Sequence, residues 1–302
     1  MALCQRASGA PRAPPASPAA GDAGGALGAP LAVWHNALDK PRSVNGRDSM
    51  RGALLGPEFP DDRTQAWLDS LGYPYEKLSP EEWPRRIAQL IASENVIGLC
   101  QGRMEFGPRA LGGRSIVGDA RSPKMQSIMN LKIKFRESFR PFAPSVLEER
   151  VADYFELDGP SPYMLLVADV VERRRMPRRG NEGDEGRLDL VEWVNEPRSD
   201  IPAVTHVDYS ARIQTVSREE NPRYHALISE FERLTGYGVI VNTSFNVRGE
   251  PIVCTPQDAY RCFLATDMDV LVVEDCVLHK AELKQAANAL ARKEYLSQFQ
   301  LD

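Results

Sequence analysis

The sequence predicts an α/β fold, a mixed or largely parallel twisted sheet with helices packed on it. Three observations carry the prediction. Apolar runs of four to six residues recur at 95–100, 163–168, 237–241 and 270–273. Between them lie segments whose apolar residues repeat at helical spacing. Polar-then-proline pairs mark where several of those helices begin. Strands that alternate with helices build a sheet covered by helices.

Taken in order, residues 1–20 are mostly Ala, Pro, Ser and Gly with two arginines. They offer little apolar surface to offset ordering entropy and are expected to be disordered. Residues 21–78 hold a glycine-rich approach to a helix around 31–35, with Pro30 in its first turn, and an irregular connector over 39–63. Ser79, Pro80 and Glu82 form a capping signal, and Pro84 delays the start of a helix that buries Ile87, Leu90 and Ile91. A buried strand over 95–100 then delivers the chain to a glycine loop over 102–114. Ser122-Pro123 opens a helix with Met125, Ile128 and Met129 inward. Lys132, Lys134 and Arg136 alternate with Ile133 and Phe135, a period that puts the three cations on one face of a strand. A short helix is expected over 148–155 and a charged, glycine-rich surface loop over 172–198. A strand over 211–216 follows His206 and Asp208. Asn221-Pro222 caps a helix with Tyr224, Leu227, Ile228, Phe231 and Leu234 inward, ending at Gly236. The strand over 237–241 empties into Asn242, Ser244 and Asn246. Thr255-Pro256 starts a helix reaching about Thr266, strands follow at 270–273 and 277–278, and residues 281–302 read as a polar helix.

Charge is distributed unevenly. The chain carries −5, yet residues 103–140 hold nine Lys or Arg against three Asp or Glu. A basic island in an acidic chain, interleaved with Phe106, Leu111, Ile116 and Phe135, reads as a pocket wall on a folded core. Fixed cations beside small residues suit phosphates or another dense anion. The overall acidity argues against non-specific nucleic-acid binding. Five cysteines show no metal-ligand spacing and suit free thiols in a reducing compartment. The four histidines are scattered, so no metal site is read from them. No run approaches the ~18 apolar residues of a membrane span, and residues 1–28 lack the apolar centre of a secretory signal. A cytoplasmic protein is the expectation. Asn242, Ser244 and Asn246, at every second position of an extended segment, suit hydrogen bonds to phosphate or ribose oxygens; they equally suit a turn that satisfies its own backbone.

Three motifs converge. Gly102-Arg103-Met104-Glu105-Phe106-Gly107-Pro108-Arg109-Ala110-Leu111-Gly112-Gly113-Arg114-Ser115-Ile116 resembles the signature of the NodU/CmcH-type O-carbamoyltransferases. Phe139-Arg140-Pro141-Phe142-Ala143-Pro144 is similar to a second motif of that family. Asn242-Thr243-Ser244-Phe245-Asn246, followed by Glu250-Pro251-Ile252-Val253, is similar to a third, in the same order. The resemblance covers roughly residues 18–280. It implies that 79–280 form the YrdC-like carboxy-terminal module, and that 21–78 keep only a remnant helix and linker of the amino-terminal actin-like ATPase module.

The resemblance further implies ATP, with Mg2+ on its phosphates, and carbamoyl phosphate as ligands, joined to form carbamoyl-adenylate. A separate actin-like transferase chain would complete transfer to a hydroxyl. By the same carry-over, Arg109, Lys134 and Arg140 match the catalytic cations. Arg103, Arg114, Arg136, Arg212, Asn242, Ser244 and Asn246 match positions holding ATP or carbamoyl phosphate, and no metal-ligating residue is carried over. Lys134→Ala is then expected to abolish turnover while barely changing stability. Other readings are a nucleotide-binding protein without turnover, or a threonylcarbamoyl-adenylate-forming or RNA-binding relative.

Overall fold

The computed structural model describes residues 5–6, 19, 22–43, 48–177, 194, 196–283 and 289–299. Among these residues, ten strands form one mixed sheet: β1 (Gln5–Arg6), β2 (Glu76–Lys77), β3 (Ile97–Cys100), β4 (Arg114–Gly118), β5 (Ala143–Leu147), β6 (Leu166–Asp169), β7 (Ser210–Val216), β8 (Val239–Ser244), β9 (Val270–Val273) and β10 (Cys276–His279). Their spatial order is β1-β6-β7-β5-β8-β4-β3-β9-β10-β2. The expected mixed α/β architecture is present, but it is not largely parallel. Only β3–β9, β5–β7 and β1–β6 run parallel among the described pairs. The centre is antiparallel: β4 runs against β3 and β8, and β8 runs against β5.

Helices cover both faces. The described α-helices are α1 (Asp22–Ala32), α2 (Asp61–Leu71), α3 (Trp83–Ala92), α4 (Met125–Lys132), α5 (Val151–Tyr154), α6 (Pro222–Thr235), α7 (Pro256–Ala265) and α8 (Ala289–Ser297). Side chains alternate across the strands and divide the core in two. Ile97, Leu99, Val117, Ile240, Val270 and Val272 face α3 and α6. Cys100, Ile116, Val239, Val241, Leu271 and Val273 face α2, α4 and α7. The strand runs are apolar throughout because both faces are covered.

Local signals explain the helix limits. Ser79 and Glu82 exchange hydrogen bonds just before α3, which starts at Trp83 as Pro84 requires. Asn221 Oδ1 accepts from the Tyr224 amide, and Gly236 closes α6 in the left-handed conformation. Thr255 and Asp258 form a capping box on α7.

Several expectations are corrected. Residues 132–136 are not a strand: Lys132 ends α4, and the chain turns through Phe135 with φ of 49°. Leu234 is 39% exposed rather than buried. β6 begins three residues later than the run over 163–168 suggests. Within the 39–63 connector, α2 begins at Asp61, with Asp61 and Asp62 in its positive first turn and Gly72 at its end. Pro30 lies inside α1, which widens into a π-helical turn at Val33–Ala37 directly after it.

Within the expected disordered segment, Gln5–Arg6 pair with β6 and Ala19 is buried; the remaining residues of 1–20 lie outside the described ones. So do 178–193 and 195 of the expected surface loop, and 284–288 and 300–302 of the expected terminal helix. The four described cysteines are unpaired. No described helix is long and apolar enough to cross a membrane.

Gly112 shows how tightly the glycine loop is packed. Its φ is +112°, and a Cβ there would sit 2.6 Å from the Tyr224 ring. Gly112→Ala is expected to destabilise the fold by roughly 3 kcal/mol, from strain plus overpacking. Urea denaturation checks this.

Candidate functional site

The glycine loop, the turn after α4, β7 and the end of β8 enclose a cavity of about 620 Å³. Arg109 comes from the loop, Arg136 and Arg140 from the turn, and Arg212 from β7. Asn242 and Ser244 line the wall from β8. Four guanidinium side chains from three segments share the cavity with one carboxylate among the described residues, Asp208.

The arginines are held to different degrees. Arg136 donates from Nε to Asn130 Oδ1 at 2.6 Å, and its guanidinium lies 5.1 Å from the Phe142 ring centroid. Burial, aided by the Arg140 charge, pushes its pKa down to about 10. Arg140 reaches Glu137 at 3.3 Å and stays more than half exposed. Arg109 Nε is buried and has no acceptor among the described residues.

Buried ions behind the wall give it its shape. Glu105 is buried, and its carboxylate accepts from the amides of Leu111 at 2.6 Å, Gly113 at 2.7 Å and Arg114 at 3.1 Å. Ser115 Oγ takes the Gly112 amide at 3.0 Å. These loop amides are therefore spent internally rather than offered to an anion. Arg114 is wholly buried and donates to the carbonyls of Gln101, Gly102, Gly113, Cys254 and Pro57. It is a strut that closes the loop, not part of the cavity surface. Arg103 also points elsewhere, to Gly56 O at 3.2 Å and Glu58 at 3.6 Å.

Lys134 differs most from expectation. It is 4% exposed, and its Nζ donates to Ser244 O at 2.5 Å, Asn246 O at 2.9 Å and Asn246 Oδ1 at 2.7 Å. Ser244 Oγ is a fourth, weaker acceptor at 3.4 Å. Burial pulls its pKa down to about 7, while the ring of acceptors favours the charged form. Asn246 is spent as well, donating to Glu250 O at 2.6 Å. Lys134 and Asn246 thus fix the end of β8 from behind, while Arg109, Arg136, Arg140, Arg212, Asn242 and Ser244 meet at the cavity.

A family model described as "Carbamoyltransferase C-terminus" matches residues 88–280, which contain every residue of this cavity. The chain belongs to the carbamoyltransferase C-terminus family. Uncharacterized protein sll1178 of Synechocystis sp. is 56% identical over 278 residues, 91% of this chain and 44% of that protein. Nodulation protein NolO of Bradyrhizobium diazoefficiens is 39% identical over 84% of this chain and 42% of its own length. A solved structure of full-length HypF, titled as phosphate- and nucleotide-bound, covers 66% of this chain and 22% of its own, with TM-score 0.41 and 16% identity. The carbamoyltransferase C-terminal chain spans less than half the length of these relatives.

The sequence singles out Arg212 but not the row that leads to it. His206, Asp208 and Ser210 line the cavity beside Arg212. They sit at every second position of a segment running into β7, and that alternation was the available signal. Ser210 Oγ donates to Asp208 Oδ1 at 2.6 Å and lies 3.0 Å from His206 Nδ1. With Ser210 as donor to Asp208, His206 carries its proton on Nδ1. Burial, with Arg212 nearby, lowers the His206 pKa against the opposing pull of Asp208.

Two outcomes follow for the scaffold. Lys134→Ala strands several buried acceptors and is expected to cost roughly 2–4 kcal/mol of unfolding free energy, in contrast to the small effect inferred from sequence. Urea denaturation measures it. Glu274 holds the Gly102 amide at 2.8 Å, and burial raises its pKa to about 7 despite Arg223. The folded state then binds the extra proton between pH 4.5 and about 7, so stability falls as pH rises through that window. Glu274→Gln should be more favourable, relative to the parent chain, at pH 8 than at pH 5; an equal effect at both would reject the linkage.

Proposed function

We propose that the cavity binds ATP and carbamoyl phosphate and forms carbamoyl-adenylate, for later O-carbamoylation of a hydroxyl acceptor. The observation that carries this reading is the convergence of Arg109, Arg136, Arg140 and Arg212 on one cavity in a chain of net charge −5. Two polyanions must meet there, and their repulsion is the obstacle to reaction. Water releases phosphate from carbamoyl phosphate and leaves carbamate. A carbamate oxygen attacks the α-phosphorus of ATP, and pyrophosphate departs. Fixed guanidinium groups offset the charge on the phosphoryl oxygens, and positioning supplies much of the remaining rate. No side-chain nucleophile is required. Mg2+ would be held chiefly by the nucleotide phosphates, with Asp208 as the carboxylate within the same cavity. The volume lies within the ~300–1,000 Å³ usual for small-molecule sites.

Transfer to the acceptor calls for a second protein module. Its docking is supported by Leu27, Leu31, Val33 and Trp34 on α1 and the π-turn, all of which are exposed. The proposed partner is a separate actin-like transferase chain.

Carbamoyl-phosphate-dependent release of pyrophosphate from ATP tests the reading. Release is expected from the parent chain and roughly 100-fold less from Arg136→Ala, the usual scale for losing one such donor. Background release with ATP still bound would leave a binding protein without turnover.

A further inference from the structure

The helix α8 lies beyond residues 88–280, the span that matches the family, and it grips the back of the cavity from two sides. On the first side, Arg292 donates to both carboxylate oxygens of Asp267, at 2.9 and 3.3 Å. The Asp267 amide in turn donates to the Lys132 carbonyl at 3.3 Å, at the end of α4. The Arg292 guanidinium also lies 5.8 Å from the Phe135 ring centroid. Phe135, with φ of 49°, separates Lys134 from Arg136, so α8 abuts the turn that carries a cavity arginine.

On the second side, the Tyr295 hydroxyl donates to Glu250 Oε1. Glu250 Oε2 accepts from the Val247 amide at 2.8 Å, and the Glu250 carbonyl accepts from Asn246 Nδ2 at 2.6 Å. Asn246 Oδ1 accepts from Lys134 Nζ and from Ser244 Oγ, both at 2.7 Å. A chain of bonds thus runs from Tyr295 through Glu250 and Asn246 to Lys134 and Ser244, and Ser244 lines the cavity. The Glu250 carboxylate is half-buried. Burial raises its pKa against the bonds from Tyr295, Val247 and Cys262 and the charge of Lys134. Its own charge acts on Lys134 in return. A carboxylate held out of water and deprived of a donor takes another. An ammonium is the strongest donor in this chain, and Glu250 could claim it only by drawing it from its bonds to β8.

Building on the proposed ATP site, we infer that Tyr295 is a positioning residue for the anion cavity. Its hydroxyl occupies Glu250, so that Lys134 stays bonded to the end of β8 and Ser244 keeps its place in the wall.

Variants of the full chain test this by calorimetric titration with ATP and by crystallography. Tyr295→Phe keeps the ring that packs against Phe299, 5.3 Å between centroids, and removes only the hydroxyl. It should bind ATP about tenfold more weakly than the parent chain. Adding Glu250→Gln removes the charge that draws Lys134 away, so the double variant should return to within about twofold of the parent. A helix that serves folding stability alone gives no such rescue. Equal weakening in the single and double variants, or parent-like binding by Tyr295→Phe, overturns the inference. The crystal structure of Tyr295→Phe reads the same point without a ligand. Lys134 Nζ turned to Glu250 supports the inference; Lys134 still on Ser244 and Asn246 overturns it. That readout decides the matter if the double variant fails to fold. It also decides it if the parent chain binds no ATP, a result that by itself overturns only the site reading.

Discussion

The ammonium of Lys134 sets the geometry of the cavity. It sits under the end of β8 and gathers oxygens from Ser244 and Asn246, two residues that would otherwise splay as the strand ends. A lone buried ammonium would be expelled or neutralised; one ringed by acceptors becomes a cross-link. Glu105 acts in the same way with opposite charge, drawing the amides of the glycine loop onto one carboxylate. Arg114 then ties that loop to the segments at Pro57 and Cys254. Two walls of the cavity, the glycine loop and the end of β8, are thus shaped by buried ions bonded largely to backbone.

This arrangement divides the basic island by task. Arg114 and Lys134 are consumed by the fold, and Arg103 serves the loop near Gly56. Arg109, Arg136, Arg140 and Arg212 line the cavity. Cations close together repel, and Arg140 does depress the Arg136 pKa. A fold that holds them in place despite that repulsion has already met part of the cost of assembling an anion site before any anion arrives. The acidic balance of the remaining chain limits attraction of unrelated polyanions.

Much of the fold was legible in the sequence because its signals are local. Asn221-Pro222 and Gly236 bracket α6, and Thr255-Pro256 opens α7. The run ending in Asn242 marks β8. The failures share a physical cause: they depend on partners distant in sequence. β4 is only five residues long, and its pairing with β3 and β8, rather than its own pattern, makes it a strand. The alternation at Lys132–Arg136 imitates a strand because Lys134 turns inward to acceptors 110 and 112 residues away. Cations can be counted from sequence; which of them the backbone consumes cannot. The polar row from His206 to Arg212 alternates in the sequence, but it is the pairing of β7 with β5, distant in sequence, that brings it to the cavity.

The match of residues 88–280 to the carbamoyltransferase C-terminus family gives this geometry a chemical setting. The central claim is that polyanionic ligands enter between the Arg109 loop and the end of β8. A crystal structure of the full chain soaked with a non-hydrolysable ATP analogue tests it most directly. The account predicts the phosphates against Arg109, Arg136, Arg140 and Arg212, with Lys134 still bonded to Ser244 and Asn246. Nucleotide density elsewhere on the molecule, with this cavity empty, would contradict it.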